Sequence, residues 1–184
     1  MTSTDTAATE TVPTGTATSE TATAGSTTLR DGRLLTLAHT GWDDPRAVAL
    51  RAAMDAEIAP RYAALRAAAP PPAPPSADDV ETVVLALVDG EPAATGTLRR
   101  LPDRLEVKRL FIDPDHRRAG LASRVLTALE EEARDRGADE LFLQTGNRQP
   151  EAIALYERTR WQHTDVYAPY DPTDGISVCF RKEL

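Results

Sequence analysis

The sequence predicts one α/β (α+β) domain with a mixed central sheet of about seven strands and about four flanking helices. Three observations support this class. Apolar runs and helical periodicities follow one another in the order β-α-α-β-β-β-α-β-α-β-β. Three of the strands are consecutive and joined by short turns, which is typical of an antiparallel meander. A long amphipathic helix then joins two apolar strands, and a right-handed crossover of that kind makes the two strands parallel.

The composition limits the classes of function. The chain has 184 residues, of which 41% are hydrophobic, and this suits a domain with a substantial core. Its net charge of −8 argues against nucleic-acid binding. The single cysteine, Cys179, excludes a disulfide framework and favours a reducing compartment, so we expect a cytoplasmic protein. No apolar run approaches the ~20 residues that cross a bilayer, so no membrane contact is expected. The scattered histidines predict no metal site.

Two segments differ in composition from the rest. Residues 1–28 contain 12 threonines and no aromatic or basic residue, so we expect a disordered tail that precedes a domain at 29–184. A glycosylated or phosphorylated regulatory tail is the alternative. Residues 70–75 are almost all proline and predict an extended connector, although a proline-rich docking ligand has the same composition.

The N-terminal half of the domain begins with an apolar strand at 33–39. Asp43 and Asp44 before Pro45 then predict a helix N-cap, and the apolar positions up to Ile58 supply one helical face. Because proline lacks an N–H group, we expect Pro60 to end this helix and a second, short helix to cover 61–68.

The remaining elements follow in order. A strand at 81–88, an Asp89-Gly90 turn and a strand at 93–101 form a hairpin, which a strand at 105–112 extends. By strict alternation, Leu105, Val107, Arg109 and Phe111 would lie on one face, and Glu106, Lys108, Leu110 and Ile112 on the other. The later elements are a helix from Leu121, a strand at 140–145, a helix after Pro150, and strands at 162–167 and 176–182.

The stretch from Arg104 to Arg136 predicts an anion site. Its strand ends at Asp113-Pro114, and the segment from Arg117 to Ser123 combines two arginines with small residues at the start of a helix. Small side chains let backbone N–H groups approach a ligand closely, and the N–H groups of the first helical turn have no partner within the helix. An ordinary helix entry beside an exposed basic pair is the alternative.

These residues resemble a known family. Arg117-x-x-Gly120-x-Ala122, after a strand and before a helix, is similar to the acyl-CoA pyrophosphate loop of the GCN5-related N-acetyltransferases (GNAT), whose pattern is Gln/Arg-x-x-Gly-x-Gly/Ala. The later QTGNRQPEAIALYERTRW resembles the second cofactor motif of that family. The resemblance implies the GNAT acyl-CoA N-acyltransferase fold, in which the strands at 105–112 and 140–145 splay apart and the pantetheine arm of acetyl-CoA inserts between them.

The resemblance also implies the cofactor contacts. Backbone N–H groups from Arg118 to Ser123 would bind the pyrophosphate, residues 110–112 would pair with pantetheine, and the Ile112 N–H would polarise the thioester carbonyl. Asn147 would contact the pantetheine amides, unless it caps the next helix. The residues expected at the cofactor are Leu110, Phe111, Ile112, Arg117, Arg118, Ala119, Gly120, Leu121, Ala122, Ser123, Asn147 and Tyr156.

Two residues are candidates for proton transfer. Glu106 lies where the family often has a carboxylate that takes the proton of the amine, through water. It could instead pair with Arg104 or Lys108, and Asp113, Asp171 and Asp174 are possible substitutes as the base. Tyr156 matches the family tyrosine that protonates the leaving thiolate, and a phenol keeps its proton up to a pKa near ~10. Its alternative role is core packing.

Arg160 departs from the family pattern, which commonly has glycine at this position. Either Arg160 takes a left-handed backbone conformation at a cost of about 1 kcal/mol, or its side chain reaches the cofactor or the substrate. The sequence leaves both alternatives open.

The acceptor site expected from the resemblance includes Glu57, Arg61, Tyr62 and Tyr170, with Tyr167 and Asp171 nearby. The predicted reaction is transfer of acetyl from acetyl-CoA to the primary amine of a small molecule, amino-acid-like or an antibiotic, by direct attack on the thioester. A protein lysine or N-terminal acetyltransferase and a non-catalytic acyl-CoA-binding module are the alternatives. The family resemblance also implies a homodimer.

Overall fold

The computed structural model describes residues 22–66 and 75–184, which form an eight-stranded sheet and three α-helices. The strands are β1 (Ala22–Thr28), β2 (Leu34–Thr40), β3 (Val80–Val88), β4 (Glu91–Leu101), β5 (Arg104–Ile112), β6 (Glu140–Gly146), β7 (Gln162–Thr164) and β8 (Ser177–Glu183). The helices are α1 (Pro45–Arg66), α2 (Leu121–Asp135) and α3 (Pro150–Arg158). Most of the predicted tail and most of the predicted proline-rich connector lie outside the described residues.

The sheet has the strand order β1-β2-β3-β4-β5-β6-β8-β7, and all its pairings are antiparallel except that of β5 with β6. The predicted meander and the predicted parallel crossover through α2 are therefore confirmed. Within the described parts of the chain, no helix is both long and apolar enough to cross a bilayer.

Strand β1 corrects the prediction that the whole of 1–28 is disordered. Its backbone pairs with β2 from Ala22↔His39 to Thr28↔Leu34. Residues 25–28 are exposed, so this part of the strand is held by its hydrogen-bond ladder with β2. A prediction that rests on apolar content does not detect a strand of this kind.

Helix α1 corrects the prediction of two helices, because it continues from Pro45 to Arg66 with Pro60 inside it. Contacts beyond the proline hold its last turns. The buried Tyr62 accepts a hydrogen bond of 3.0 Å from the Arg148 N–H. Its hydroxyl lies against Gly146 so closely that a Cβ there would be 2.0 Å away. These contacts offset the backbone hydrogen bond that proline removes.

The helices cover the two faces of the sheet, named here the α1 face and the α2 face. On the α1 face, Leu50 and Met54 pack against Leu85 and Phe111. On the α2 face, Val125 and Leu129 of α2 lie so close to Gly96 that an added Cβ would meet them at 2.7 and 2.9 Å. Helix α3 packs on the α2 face as well, since Tyr156 belongs to the same core as Leu143 and Phe180.

A β-bulge divides β5. Thr97 pairs with Lys108 and Thr95 with Phe111, so Arg109 and Leu110 together oppose the single residue Gly96. Arg109 has φ 56°, in the left-handed region. The expected strict alternation is therefore wrong beyond Lys108. Leu110 and Ile112 pack against the core of the α2 face, whereas Phe111 packs on the α1 face.

Candidate active site

The candidate site is built around a gap between β5 and β6. The two strands form only two pairs, Glu106↔Phe142 and Val107↔Leu143, although β5 continues to Ile112 and β6 to Gly146. Beyond these pairs the strands separate, as the family resemblance predicted. We call this gap the fork. Backbone groups of β5 that do not point toward β4 face the fork. The Ile112 carbonyl accepts from Arg117 Nε at 3.2 Å, so its N–H remains for an extended ligand.

The N-terminus of α2 lies shortly after the β5 end of the fork. Gly120 is its N-cap residue with φ 80°, and Arg118 has φ 64°. No side chain caps this helix, and its first turn has no acidic residue. The Leu121 side chain is buried, so only the backbone of that residue is available to a ligand, whereas Ala119 and Ala122 are partly exposed and Ser123 is exposed. The unpaired N–H groups of the first turn and the helix dipole favour an anion here.

Three residues predicted for the acceptor site contact the segment after β5, the end of β6 and the start of α3. The Glu57 carboxylate lies 2.5 Å from Arg117 and 3.2 Å from Arg61, and Arg61 also pairs with Glu151 of α3. Tyr62 lies against Gly146 at the end of β6. Helix α1 is thus connected both to the loop that begins at Arg117 and to the start of α3. In the part of the chain that the structure describes, neither Glu57 nor Arg61 forms a hydrogen bond or ion pair with Tyr170.

Glu106 lies on the α1 face with 0% exposure, and both of its oxygens are occupied. Oε2 accepts from Arg99 Nε at 2.6 Å and lies 2.5 Å from Arg99 Nη2. Oε1 accepts from the hydroxyls of Tyr167 and Tyr170, each at 2.7 Å. Arg99 also donates to the Tyr170 hydroxyl at 2.9 Å. Burial, together with the Glu106 charge, raises the pKa of both tyrosines.

The partner of Glu106 is therefore Arg99, which the sequence reasoning did not consider. Arg104 pairs with Asp103, and Lys108 has other partners. The signal was present in β4, where Thr95, Thr97 and Arg99 place polar side chains on one face of a strand whose other face is apolar. The Glu106 carboxylate is 0% exposed, and the Tyr167 and Tyr170 hydroxyls are the O–H groups that donate to it.

Lys108 bridges the two arms of the fork. Its Nζ donates to the side-chain oxygen of Gln144 at 2.9 Å and lies 3.4 Å from the Gln144 backbone oxygen. It also lies 4.9 Å from the centre of the Tyr170 ring. Burial lowers the pKa of Lys108 to about 8, and the positive charges of Arg99 and Arg109 act in the same direction.

Tyr156 lies on the α2 face with 7% exposure. Its ring packs against Trp161 at 6.3 Å and Phe180 at 5.5 Å between centroids, and burial raises the pKa of its hydroxyl. Within the described residues, the Tyr156 hydroxyl makes no hydrogen bond. It is nevertheless not completely enclosed, so a ligand can reach it. The geometry accommodates both the packing role and the proton-donor role.

Other candidate residues have structural partners. The Asn147 side chain donates to the Gly175 carbonyl at 2.6 Å, and Gln149 is the N-cap of α3, so the capping alternative for Asn147 is wrong. Asp171 and Asp174 accept from nearby backbone N–H groups in the turn before β8. Asp113 accepts from the Asp115 N–H in the turn after β5.

Arg160 takes the left-handed conformation, with φ 68°. The Trp161 N–H donates to the Tyr156 carbonyl at 3.0 Å, and the Arg160 N–H donates to the Glu157 carbonyl at 3.2 Å. This is the double hydrogen bond of a Schellman motif, which ends α3. Arg160 therefore occupies the backbone conformation that the glycine of the family pattern would adopt.

Comparison with known proteins agrees with this architecture. The family model described as Acetyltransferase (GNAT) family matches residues 48–160. An IAA acetyltransferase of Azospirillum brasilense is 38% identical over 79 residues, which are 43% of this chain and 51% of that protein. The chain thus spans about half the length of this curated relative.

Two solved structures have a similar fold. A protein of Klebsiella pneumoniae, described as a candidate acyl-CoA N-acyltransferase, has a TM-score of 0.67 and 34% identity over 82% of this chain and 97% of that one. A streptothricin acetyltransferase candidate of Bacillus anthracis, solved with acetyl coenzyme A, has a TM-score of 0.50 and 15% identity over 58% of this chain and 64% of that one. From its sequence match and its fold, the chain belongs to the GNAT acetyltransferase family.

Proposed function

We propose that this protein transfers the acetyl group of acetyl-CoA to the primary amine of a small molecule. One observation supports this most strongly: the fork between β5 and β6 begins beyond Val107 and leads to the uncapped N-terminus of α2. An extended arm with an anionic group at its end is complementary to that arrangement. The structural neighbour from B. anthracis was solved with acetyl coenzyme A.

The cofactor contacts in this proposal come mainly from the backbone. The N–H groups from Arg118 to Ser123 bind the pyrophosphate, and the free edge of β5 up to Ile112 pairs with the pantetheine arm. The Arg117 side chain forms an ion pair with Glu57. It can bind the phosphates only if this ion pair breaks when the cofactor binds. Acetyl-CoA supplies an activated acyl group as a thioester.

The proton transfers use the two faces of the sheet. The neutral amine approaches from the α1 face, and the Ile112 N–H polarises the thioester carbonyl while the C–N bond forms. Tyr156 donates its proton to the departing sulfur as the C–S bond breaks. The proton of the amine passes through the Tyr170 or Tyr167 hydroxyl to Glu106, because those hydroxyls already donate to its carboxylate.

A pair of glycine variants tests the cofactor site. Gly120 and Gly137 lie at opposite ends of α2, both have positive φ, and neither would bring an added Cβ within 4 Å of another group. Alanine at either position therefore costs about 1 kcal/mol of stability through backbone strain. We expect Gly120→Ala to weaken acetyl-CoA binding about tenfold and Gly137→Ala to leave it unchanged, as measured by isothermal titration.

Thermal stabilisation and turnover complete the test. Acetyl-CoA at about 100 times its Kd stabilises the wild-type fold by about 2.7 kcal/mol. A thiol-release assay then compares a panel of small primary amines with lysine-containing and N-terminal peptides. Turnover of the small amines supports the proposal, and turnover of peptides alone assigns a protein substrate instead. Acetyl-CoA binding without turnover of either class indicates a non-catalytic module, and absence of acetyl-CoA binding refutes the proposal.

A further inference from the structure

Among the described residues, Lys108 has no carboxylate partner, unlike three arginines near it in the chain. Arg104 pairs with Asp103, Arg109 with Asp55, and Arg117 with Glu57. The acceptors of Lys108 are the two oxygens of Gln144, which are neutral, and it lies over the ring of Tyr170. An ammonium group has three protons, so one of them has no oxygen acceptor within the described residues.

Lys108 therefore carries a positive charge at the fork that no carboxylate of the described residues pairs with. The charge of Glu106 acts on Lys108 and raises its pKa, but Arg99 and the tyrosine hydroxyls already occupy the Glu106 oxygens. A partly buried ammonium group without a counter-ion is costly, because desolvation disfavours its charged form. An anion that binds beside Lys108 would remove most of that cost.

On the neighbouring strand β4, two hydroxyl groups of the same face also lack partners within the described residues. Thr97 is the cross-strand partner of Lys108, and Thr95 lies two residues along the same face of β4. Both threonines are 0% exposed, and neither hydroxyl has a hydrogen-bond partner within the described residues. The α1 face at the fork therefore combines an unpaired cation with unused hydroxyl donors, and a carboxylate accepts from both kinds of group.

We propose that Lys108 is a specificity-determining residue that binds a carboxylate carried by the acceptor close to its amine. This inference rests on the proposed function and makes it more specific, since it assigns the acceptor to the amino acids and similar amino carboxylates. The carboxylate pairs with Lys108 on the α1 face and places the neighbouring amine at the fork, where the thioester is expected. Tyr170, which lies under Lys108, forms one wall of the same site.

The experiment compares matched acceptors that differ in the carboxylate. L-Phenylalanine, L-leucine and L-lysine are paired with 2-phenylethylamine, 3-methylbutylamine and 1,5-diaminopentane, and thiol release gives kcat/KM for each. Lys108→Gln removes the charge but keeps a donor for Gln144. We expect kcat/KM for the preferred amino acid to fall by about 30-fold or more, and values for the decarboxylated amines to change less than about threefold. Arg100→Gln is the control, because it removes a positive charge from the exposed end of β4.

Each outcome decides between roles for Lys108. A selective loss for amino acids, with unchanged acetyl-CoA affinity, supports the proposal. An equal loss for both members of each pair shows that Lys108 acts on the thioester or only connects the arms of the fork, and overturns it. Wild-type protein that acetylates the amines but not the amino acids also overturns it while leaving the proposed function intact. Failure to acetylate any of these acceptors overturns the inference, and acetyl-CoA titration then decides whether the cofactor site stands.

Discussion

The α1 face and the α2 face of the sheet are both buried, but they are built from different residues. On the α2 face, α2 and α3 cover an apolar core that includes Leu98, Val107 and Leu129. On the α1 face of the same central strands lie Glu106, Arg99 and two threonines, all buried. A polar group that is removed from water is costly unless it is paired, so the α1 face retains groups that apolar packing would not select.

Strand β4 shows the difference within one segment. Ala94, Gly96 and Leu98 alternate with Thr95, Thr97 and Arg99, so a single strand presents an apolar surface to α2 and a polar surface on the α1 face. We infer that the α2 face mainly supplies stability and that the α1 face supplies selectivity. Substitutions on the two faces should therefore have different effects.

The largest expected effect is that of Glu106→Ala. It leaves the Arg99 guanidinium buried without its carboxylate, which should lower the free energy of unfolding by about 4 kcal/mol in urea denaturation at pH 7. In the double variant Arg99→Met/Glu106→Leu most of the loss should be recovered, because apolar residues replace a buried ion pair well. A loss below ~1 kcal/mol for Glu106→Ala would show that water reaches this network.

Leu129→Ala tests the apolar face. Leu129 is fully buried, so the cavity should lower the free energy of unfolding by about 3 kcal/mol. The KM for the acceptor should stay unchanged, since the side chain lies on the other side of the sheet. Glu131→Ala, at an exposed position of the same helix, is the control and should change stability by less than about 0.5 kcal/mol. A large change in acceptor KM for Leu129→Ala would contradict the division between the faces.

Tyr156→Phe tests the one side chain of the α2 face that we assign to chemistry. Phenylalanine keeps the ring contacts with Trp161 and Phe180 but has no proton to donate. We expect kcat to fall about 100-fold while the Kd for acetyl-CoA is retained, as measured by steady-state kinetics and titration. An unchanged kcat would assign Tyr156 to packing alone.

The smallest expected effect is a pH dependence of acceptor preference. Lys108 has a pKa of about 8, set first by burial and then by Glu106 and Arg109 on β5, Arg99 on β4 and Cys179 on β8. Its positive charge is present below that pH and is lost above it. The ratio of kcat/KM for an amino acid to that for its decarboxylated amine, corrected for the neutral fraction of each amine, should therefore fall several-fold from pH 7 to pH 9. In Lys108→Arg the ratio should stay constant, because a guanidinium keeps its proton.

The sequence was sufficient for the features that depend on local pattern. The meander, the crossover and the Arg117 to Ser123 loop follow from alternation, turn residues and small residues at a helix entry. The continuity of α1 through Pro60 could not be predicted in this way, because the contacts of Tyr62 with Gly146 and Arg148 come from residues far away in the chain. Strand β1 escaped prediction for a similar reason, since its pairing partner β2 supplies its order.

The predictions for the candidate site varied in the same way. The left-handed backbone of Arg160, one of two alternatives left open, follows from its position in the family pattern, where glycine is common. The partners of Glu106 do not, because Arg99, Tyr167 and Tyr170 come from two other parts of the chain. Lys108 was not proposed as a site residue, since a lysine in a strand gives no indication of whether a carboxylate will lie beside it.

The bulge at Arg109 has a consequence for how relatives of this protein are compared. The added residue shifts the alternation of side chains along β5. Odd-numbered residues face α2 up to Val107, and even-numbered residues face it from Leu110 onward. An alignment that is correct at Glu106 but misses the bulge assigns Phe111 and Ile112 to the wrong sides of the sheet. Residue roles should therefore be transferred to this strand separately on each side of Arg109.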